Sequence, residues 1–143
     1  MTPQDIFERA AHRALELGLA YAGAVRPDEA HQLRQAGAAA IVDVRTAPEL
    51  ERVGRVPGVP LVEWPRDGDE RAHAAFVDEI RALFPPDEPL LFLCRSGVRS
   101  HHAAALAARA GYARAYNVLE GFEGDNGEGR NGWRAAGLPW ERS

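Results

Sequence analysis

The feature that most constrains this chain is the run Leu90 to Ser100, L-L-F-L-C-R-S-G-V-R-S, which sets its one cysteine between an apolar run and the start of a helical pattern. Four apolar residues, Leu90 to Leu93, follow Pro89. So short an unbroken run is the pattern of a strand buried on both faces, as in a parallel sheet. From Ser100 the sequence turns to S-H-H-A-A-A-L-A-A-R-A-G. There Ser100 reads as a helix N-cap, the alanines favour helix and Gly111 supplies a stop. A strand, a tight loop and a helix thus surround one thiol.

The rest of the chain repeats that alternation. Residues 3–18 predict a helix, with Pro3 in the first turn, Ile6, Phe7, Ala10, Ala14 and Leu17 on one stripe and Gly18 as the stop. It reads as an N-terminal extension, residues 1–22, on a domain spanning 23–143. A short edge strand at Ala22 to Val25, a helix over Pro27 to Gln35 and a core strand over Ala39 to Val44 follow. Next come a helical turn at Pro48 to Val53, a turn at Gly54 to Gly58, a strand at Val59 to Glu63 and a helix over Glu70 to Phe84 that Pro85-Pro86 ends. A last strand is expected near Ala115 to Leu119. Strands and helices at these spacings predict an α/β domain, a central parallel sheet with helices on both faces.

The loop after Leu93 has the composition of a nucleophile cradle. The thiolate rather than the thiol is the reactive form, and a free cysteine is only a few per cent ionised at neutral pH. Backbone N–H groups of Arg95 to Arg99, the positive end of the following helix, and the Arg95 and Arg99 charges all favour the anion. Gly97 suits a loop that aims successive N–H groups at one point, because it is free to take positive φ. The competing account is an inert core cysteine, but two flanking arginines belong near solvent or an anion.

Composition removes several other chemistries. All 17 basic residues are arginine, so a lysine Schiff base and a lysine-containing phosphate loop are excluded. A single cysteine excludes an intramolecular disulfide and a Cys-x-x-Cys redox pair. A net charge of -4 gives no electrostatic reason to expect nucleic acid. No run of about 18 apolar residues suggests a membrane span, and the N-terminus lacks a secretory pattern. A cytoplasmic location is the resulting expectation.

With these residues in view, the sequence resembles the rhodanese-like single-domain sulfurtransferases. Their active loop has the form C-R-x-G-x-R, which Cys94, Arg95, Gly97 and Arg99 match position by position. I-V-D-V-R, Ile41 to Arg45, is similar to the family's first core strand, and G-R-V-P-G-V, Gly54 to Val59, to its G-H-I-P-G-A segment, with Arg55 in place of histidine. The likeness runs from about Val25 to Pro139. It implies a rhodanese-like three-layer fold and a ping-pong sulfur transfer. Cys94 would be the nucleophile carrying a persulfide, and Arg95, Ser96, Gly97, Val98 and Arg99 would bind the substrate. Thiosulfate or a similar small anionic donor would supply sulfur to a thiol, cyanide or protein acceptor, with no metal or organic cofactor. Two alternatives stay open: a cysteine-based phosphatase or arsenate reductase, and a non-catalytic binding or sensor domain of the same fold. Against the first, four residues separate Cys94 from Arg99, whereas the resembling phosphatases have five.

Ligands of parallel α/β sheets sit beyond the C-terminal strand ends. That rule makes Arg45, Trp64, Arg66 and Phe122 candidate pocket walls, each weighed against plain packing. Asp43 and Arg55 read as structural, since a carboxylate in a buried strand needs a partner such as Arg45 or Arg55. Adjacent His101 and His102 point about 100° apart on a helix and form no joint metal site. Gly127 to Gly132, G-E-G-R-N-G, is a formal dinucleotide-loop match, but it lacks the strand before it and the helix after it. Asp125, Asn126 and Glu128 lack calcium-loop spacing. The resemblance implies instead that residues 121–132 are a glycine-rich insertion leaving a C-terminal strand end beside the active site, with Trp133 and Gly137-Leu138-Pro139 matching the family's closing tryptophan and G-x-P.

Overall fold

The computed structural model describes residues 1–142. The first helix, α1 (Pro3–Leu17), opens with a reciprocal cap: the Thr2 hydroxyl accepts from the Asp5 N–H at 3.1 Å, and the Asp5 carboxylate accepts from the Thr2 N–H at 3.0 Å. Its apolar stripe carries Ile6 and Ala10 into the core. There follow β1 (Gly23–Val25), α2 (Pro27–Gln35), β2 (Ala40–Asp43), α3 (Ala47–Val53), α4 (Glu70–Leu83), β3 (Leu90–Leu93), α5 (Val98–Arg109) and β4 (Ala115–Val118). The four strands form one parallel sheet in the order β1-β4-β3-β2.

Both faces of the sheet are covered, as the unbroken apolar run of β3 requires. Leu90, Phe92 and Cys94 point to the layer holding Phe76 and Ile80 of α4 and Ala103, Ala104 and Ala107 of α5. Leu91 and Leu93 point the other way, toward Ile6 and Ala10 of α1, Leu33 of α2 and Trp133. Small residues at 100, 103, 104 and 107 form the buried stripe of α5, so this helix lies close on the sheet. The Trp133 indole N–H donates to the Pro139 carbonyl at 2.8 Å and closes the C-terminal turn.

Two expectations need correction. The strand expected over residues 59–63 is an extended segment with a single parallel bridge, Asp43 to Leu61. It docks on the β2 edge through Asp43 N–H to Pro60 O, Val62 N–H to Asp43 O and Trp64 N–H to Val44 O. Pro60 has no N–H to extend the ladder. Second, α5 starts two residues before the expected N-cap at Ser100. Gly97, at φ 98°, is the N-cap, and Ser100 is a buried residue of the first turn.

Candidate active site

Cys94 follows directly on β3, and only Arg95, Ser96 and Gly97 separate it from α5. The turn is that tight because Gly97 takes a positive φ that a side chain would strain. Its N–H then points back and donates to the Cys94 Sγ at 3.1 Å. The sulfur is buried, the cysteine being 1% exposed, and lies at the N-terminal end of a 12-residue helix with no acidic residue in its first turn. Backbone dipole and N–H donor together favour negative charge at this point.

The Ser100 hydroxyl reaches the same sulfur at 3.2 Å. It also donates to Asn117 Oδ1 at 2.6 Å, and Asn117 Nδ2 donates to the Gly97 carbonyl at 3.1 Å. Behind Asn117 lies Tyr21. Burial pushes its phenol up to about 12, against the opposing effect of a hydrogen bond with Asn117. The Tyr21 hydroxyl meets His101 Nδ1 at 2.6 Å; burial, with the neighbouring His102, holds the His101 imidazole below its usual range. His102 is exposed.

Both loop arginines carry a carboxylate partner. Arg99 forms a fork with Glu49 of α3, at 2.7 and 2.8 Å. Burial pushes the Glu49 carboxyl up, but the Arg99 fork and the bonds from Thr46 outweigh it and bring it down to about 2. The Glu49 bond raises the Arg99 guanidinium above its ordinary value despite burial, with Cys94 and Asp43 adding to the effect. Arg95 is half exposed and pairs with Glu123 at 3.3 Å. Its guanidinium lies against Gly127, where a Cβ would stand 2.6 Å from its central carbon.

The glycine-rich segment is fastened to the active loop. Phe122 N–H donates to the Cys94 carbonyl at 2.8 Å and Glu123 N–H to the Arg95 carbonyl at 2.9 Å. At Gly121 a Cβ would come within 2.5 Å of the Arg95 carbonyl oxygen, so the crossing needs glycine. A 420 Å³ concavity bordered by Glu123, Gly127, Arg134 and Trp140 shares Glu123 and Gly127 with the Arg95 clasp.

The outer candidates separate into two groups. Arg45 is fully buried; it grips Asp43 through its Nε and Nη2, at 2.7 to 3.2 Å, and lies over the Phe122 ring at 4.3 Å. Phe122 is itself 0% exposed. These two therefore form the packed floor beneath the loop, not an open wall. Trp64, half-buried, stacks on His73 and meets Phe76 edge-on, and Arg66 is exposed. Asp43 takes Arg45 as its partner, whereas Arg55 bridges to Glu141 through its backbone. Ser96 is half-buried and Val98 is 61% exposed beside the cysteine. Sequence reasoning missed Glu49, Glu123, Tyr21 and Asn117. For Glu49 a local signal existed, the T-A-P-E spacing of a capping box; for Asn117, inside a strand, there was none.

Comparison with known proteins agrees with this fold. The family model described as Rhodanese-like domain matches residues 26–128. The chain is 42% identical to the Mycobacterium tuberculosis protein Rv0390, whose crystal structure superposes with a TM-score of 0.71 over 86% of this chain and 99% of that one. It is 36% identical to the uncharacterized protein RC0915 of Rickettsia conorii, over 71% of this chain and 81% of that protein. It is 33% identical to the thiosulfate sulfurtransferase GlpE of Pseudomonas aeruginosa, over 69% of this chain and 79% of the enzyme. With its cysteine loop at the end of a parallel strand and this match over most of its length, the chain belongs to the rhodanese-like domain family.

Proposed function

We propose that the protein is a sulfurtransferase that moves sulfane sulfur from thiosulfate, or a similar small anionic donor, to a thiophilic acceptor through a Cys94 persulfide. The observation that carries this reading is the Cys94 sulfur at the N-terminus of α5 with the Gly97 N–H on it. The thiolate attacks the outer sulfur of thiosulfate; the Sγ–S bond forms as the S–S bond of the donor breaks, and sulfite leaves with the bonding pair. A nucleophile such as cyanide or a thiolate then takes the outer sulfur and returns the Cys94 thiolate. Because Arg95 and Arg99 are already paired with Glu123 and Glu49, donor binding falls more heavily on the N–H groups of residues 95 to 99 than their two positive charges imply. The four-residue gap from Cys94 to Arg99 favours this chemistry over phosphoryl transfer.

The test is intact mass after incubating the reduced protein with thiosulfate, alongside sulfite release with cyanide as acceptor. Wild type should gain one sulfur, about 32 Da, and turn over; Cys94→Ser should do neither. Hydrolysis of an aryl phosphate that depends on Cys94, without a sulfur adduct, would replace this reading with the phosphatase one. Silence in both assays would favour a binding domain or a donor other than thiosulfate.

A further inference from the structure

We infer that the Ser100 hydroxyl is a two-position hydrogen-bond donor for the Cys94 sulfur, with Asn117 as the positioning residue that holds its proton whenever the sulfur is uncharged. The inference rests on Cys94 being the nucleophile, as proposed above.

Ser100 has one proton and two acceptors within reach, Asn117 Oδ1 at 2.6 Å and Cys94 Sγ at 3.2 Å. Asn117 cannot turn its amide round: Nδ2 donates to the Gly97 carbonyl at 3.1 Å, and a flip would set two oxygens against each other. Its Oδ1 therefore faces Ser100 permanently. Both residues are buried, Ser100 at 0% and Asn117 at 4% exposure, where an unfed carbonyl is costly. With Cys94 as a thiol, the S–H donates to Ser100 Oγ and Ser100 donates on to Asn117. On ionisation the thiol proton goes to bulk water. The sulfur then becomes a charged acceptor, stronger than the amide oxygen, and rotation about the Ser100 Cβ–Oγ bond moves the hydroxyl proton from Oδ1 to Sγ. Ser100 itself never ionises. In sulfur transfer Sγ bears charge before donor attack and again when the acceptor removes the outer sulfur, and is neutral in the persulfide. The hydroxyl would swing twice per turnover, which makes Ser100 a catalytic residue.

Among the described residues, the hydrogen bonds to this sulfur come from Gly97 and Ser100 alone. The titratable and charged groups around it are Arg95 on the loop and Arg99 in the first turn of α5, Glu123 and Glu49 that pair with them, Asp43 at the end of β2 with Arg45 just beyond it, and Tyr21 with His101 behind Asn117. All are unchanged in the variants below.

Cys94 is the sole cysteine, so its alkylation by iodoacetamide against pH reports one site. Ser100→Ala should raise the midpoint of that profile by about one pH unit, roughly a tenfold loss of reactive anion below it, and Ser100→Thr should restore it. The shift from Ser100→Ala should be larger in an Asn117→Ala background, where the hydroxyl no longer gives up its bond to the amide; comparing shifts within each background cancels the lost Gly97 contact. Equal shifts in the two backgrounds, or none in folded Ser100→Ala, would overturn the switch. In wild type, an infrared S–H band of a hydrogen-bonded thiol is expected, and a non-bonded band would overturn it without any variant. No sulfur donor enters these measurements, so they stand or fall separately from the persulfide test.

Discussion

Arg99 commits both terminal nitrogens to Glu49, and this pair ties the active loop to α3 across 50 residues of sequence. The Glu49 carboxyl titrates near 2, below its ordinary 4.5. A depressed folded value means that the stabilisation is fully present above about pH 4.5 and is lost as pH falls toward 2. Glu49→Gln should therefore lower stability at neutral pH by about 1–3 kcal/mol, between the values for an exposed pair and for a broken buried one, because Arg99 is partly exposed. It should also flatten the acid limb of the melting temperature against pH; an unchanged acid limb would remove Glu49 as its origin. At this scale the sequence is informative where chemistry is local. Cys94, Gly97 and the Asp43–Arg45 pair could be read from neighbours in the chain. Glu49, Glu123 and Asn117 reach the site only through tertiary contact, and nothing in their local pattern points to Cys94 or its arginines.

Among the elements, the glycine-rich segment 121–132 has the most to do with the site, since its first residues bond to the carbonyls of Cys94 and Arg95. Two of its glycines separate backbone strain from steric fit. Gly121 and Gly129 both have positive φ, at 62° and 75°, but only Gly121 would drive a Cβ into the active loop; Gly129 faces open space. Gly129→Ala should cost about 1 kcal/mol, the conformational penalty alone. Gly121→Ala should cost more, about 3 kcal/mol or above, and slow Cys94 alkylation, because the Cys94–Arg95 backbone must move. Equal losses in thermal melts would show the crossing to be loose. The segment's place beside the loop follows from the rule for C-terminal strand ends, but its contacts do not follow from composition. The α5 start was misplaced for a similar reason: Ser100 has the chemistry of an N-cap, yet Gly97 turns the chain first, and the serine goes inward to serve the sulfur.

For the whole molecule the open question is whether α1 is an appendage or part of the fold. Its sequence reads as an extension, because an amphipathic helix before a parallel α/β pattern has no assigned place in the layers. In the structure Ile6 and Ala10 lie in the core cluster that includes Leu91, Leu93 and Trp133. Gly23 of β1 sits against the Ala10 backbone so closely that no side chain fits. Arg13 binds the Ala24 carbonyl at 2.8 Å and grips the buried Glu29 of α2 at 2.6 and 3.1 Å. Tyr21, in the turn after α1, reaches His101 and Asn117 behind Cys94. A helix so engaged should melt with the sheet rather than before it. Ile6→Ala should then cost about 2–5 kcal/mol, the range for a truncated buried aliphatic side chain, and lower the midpoint of one shared urea transition followed by far-UV circular dichroism and by tryptophan fluorescence. Trp133, packed in the same cluster, reports the core directly. If Ile6→Ala left the fluorescence transition in place and displaced only part of the dichroism signal, α1 would be a separable extension, and Tyr21 would reach the site from a segment that folds on its own.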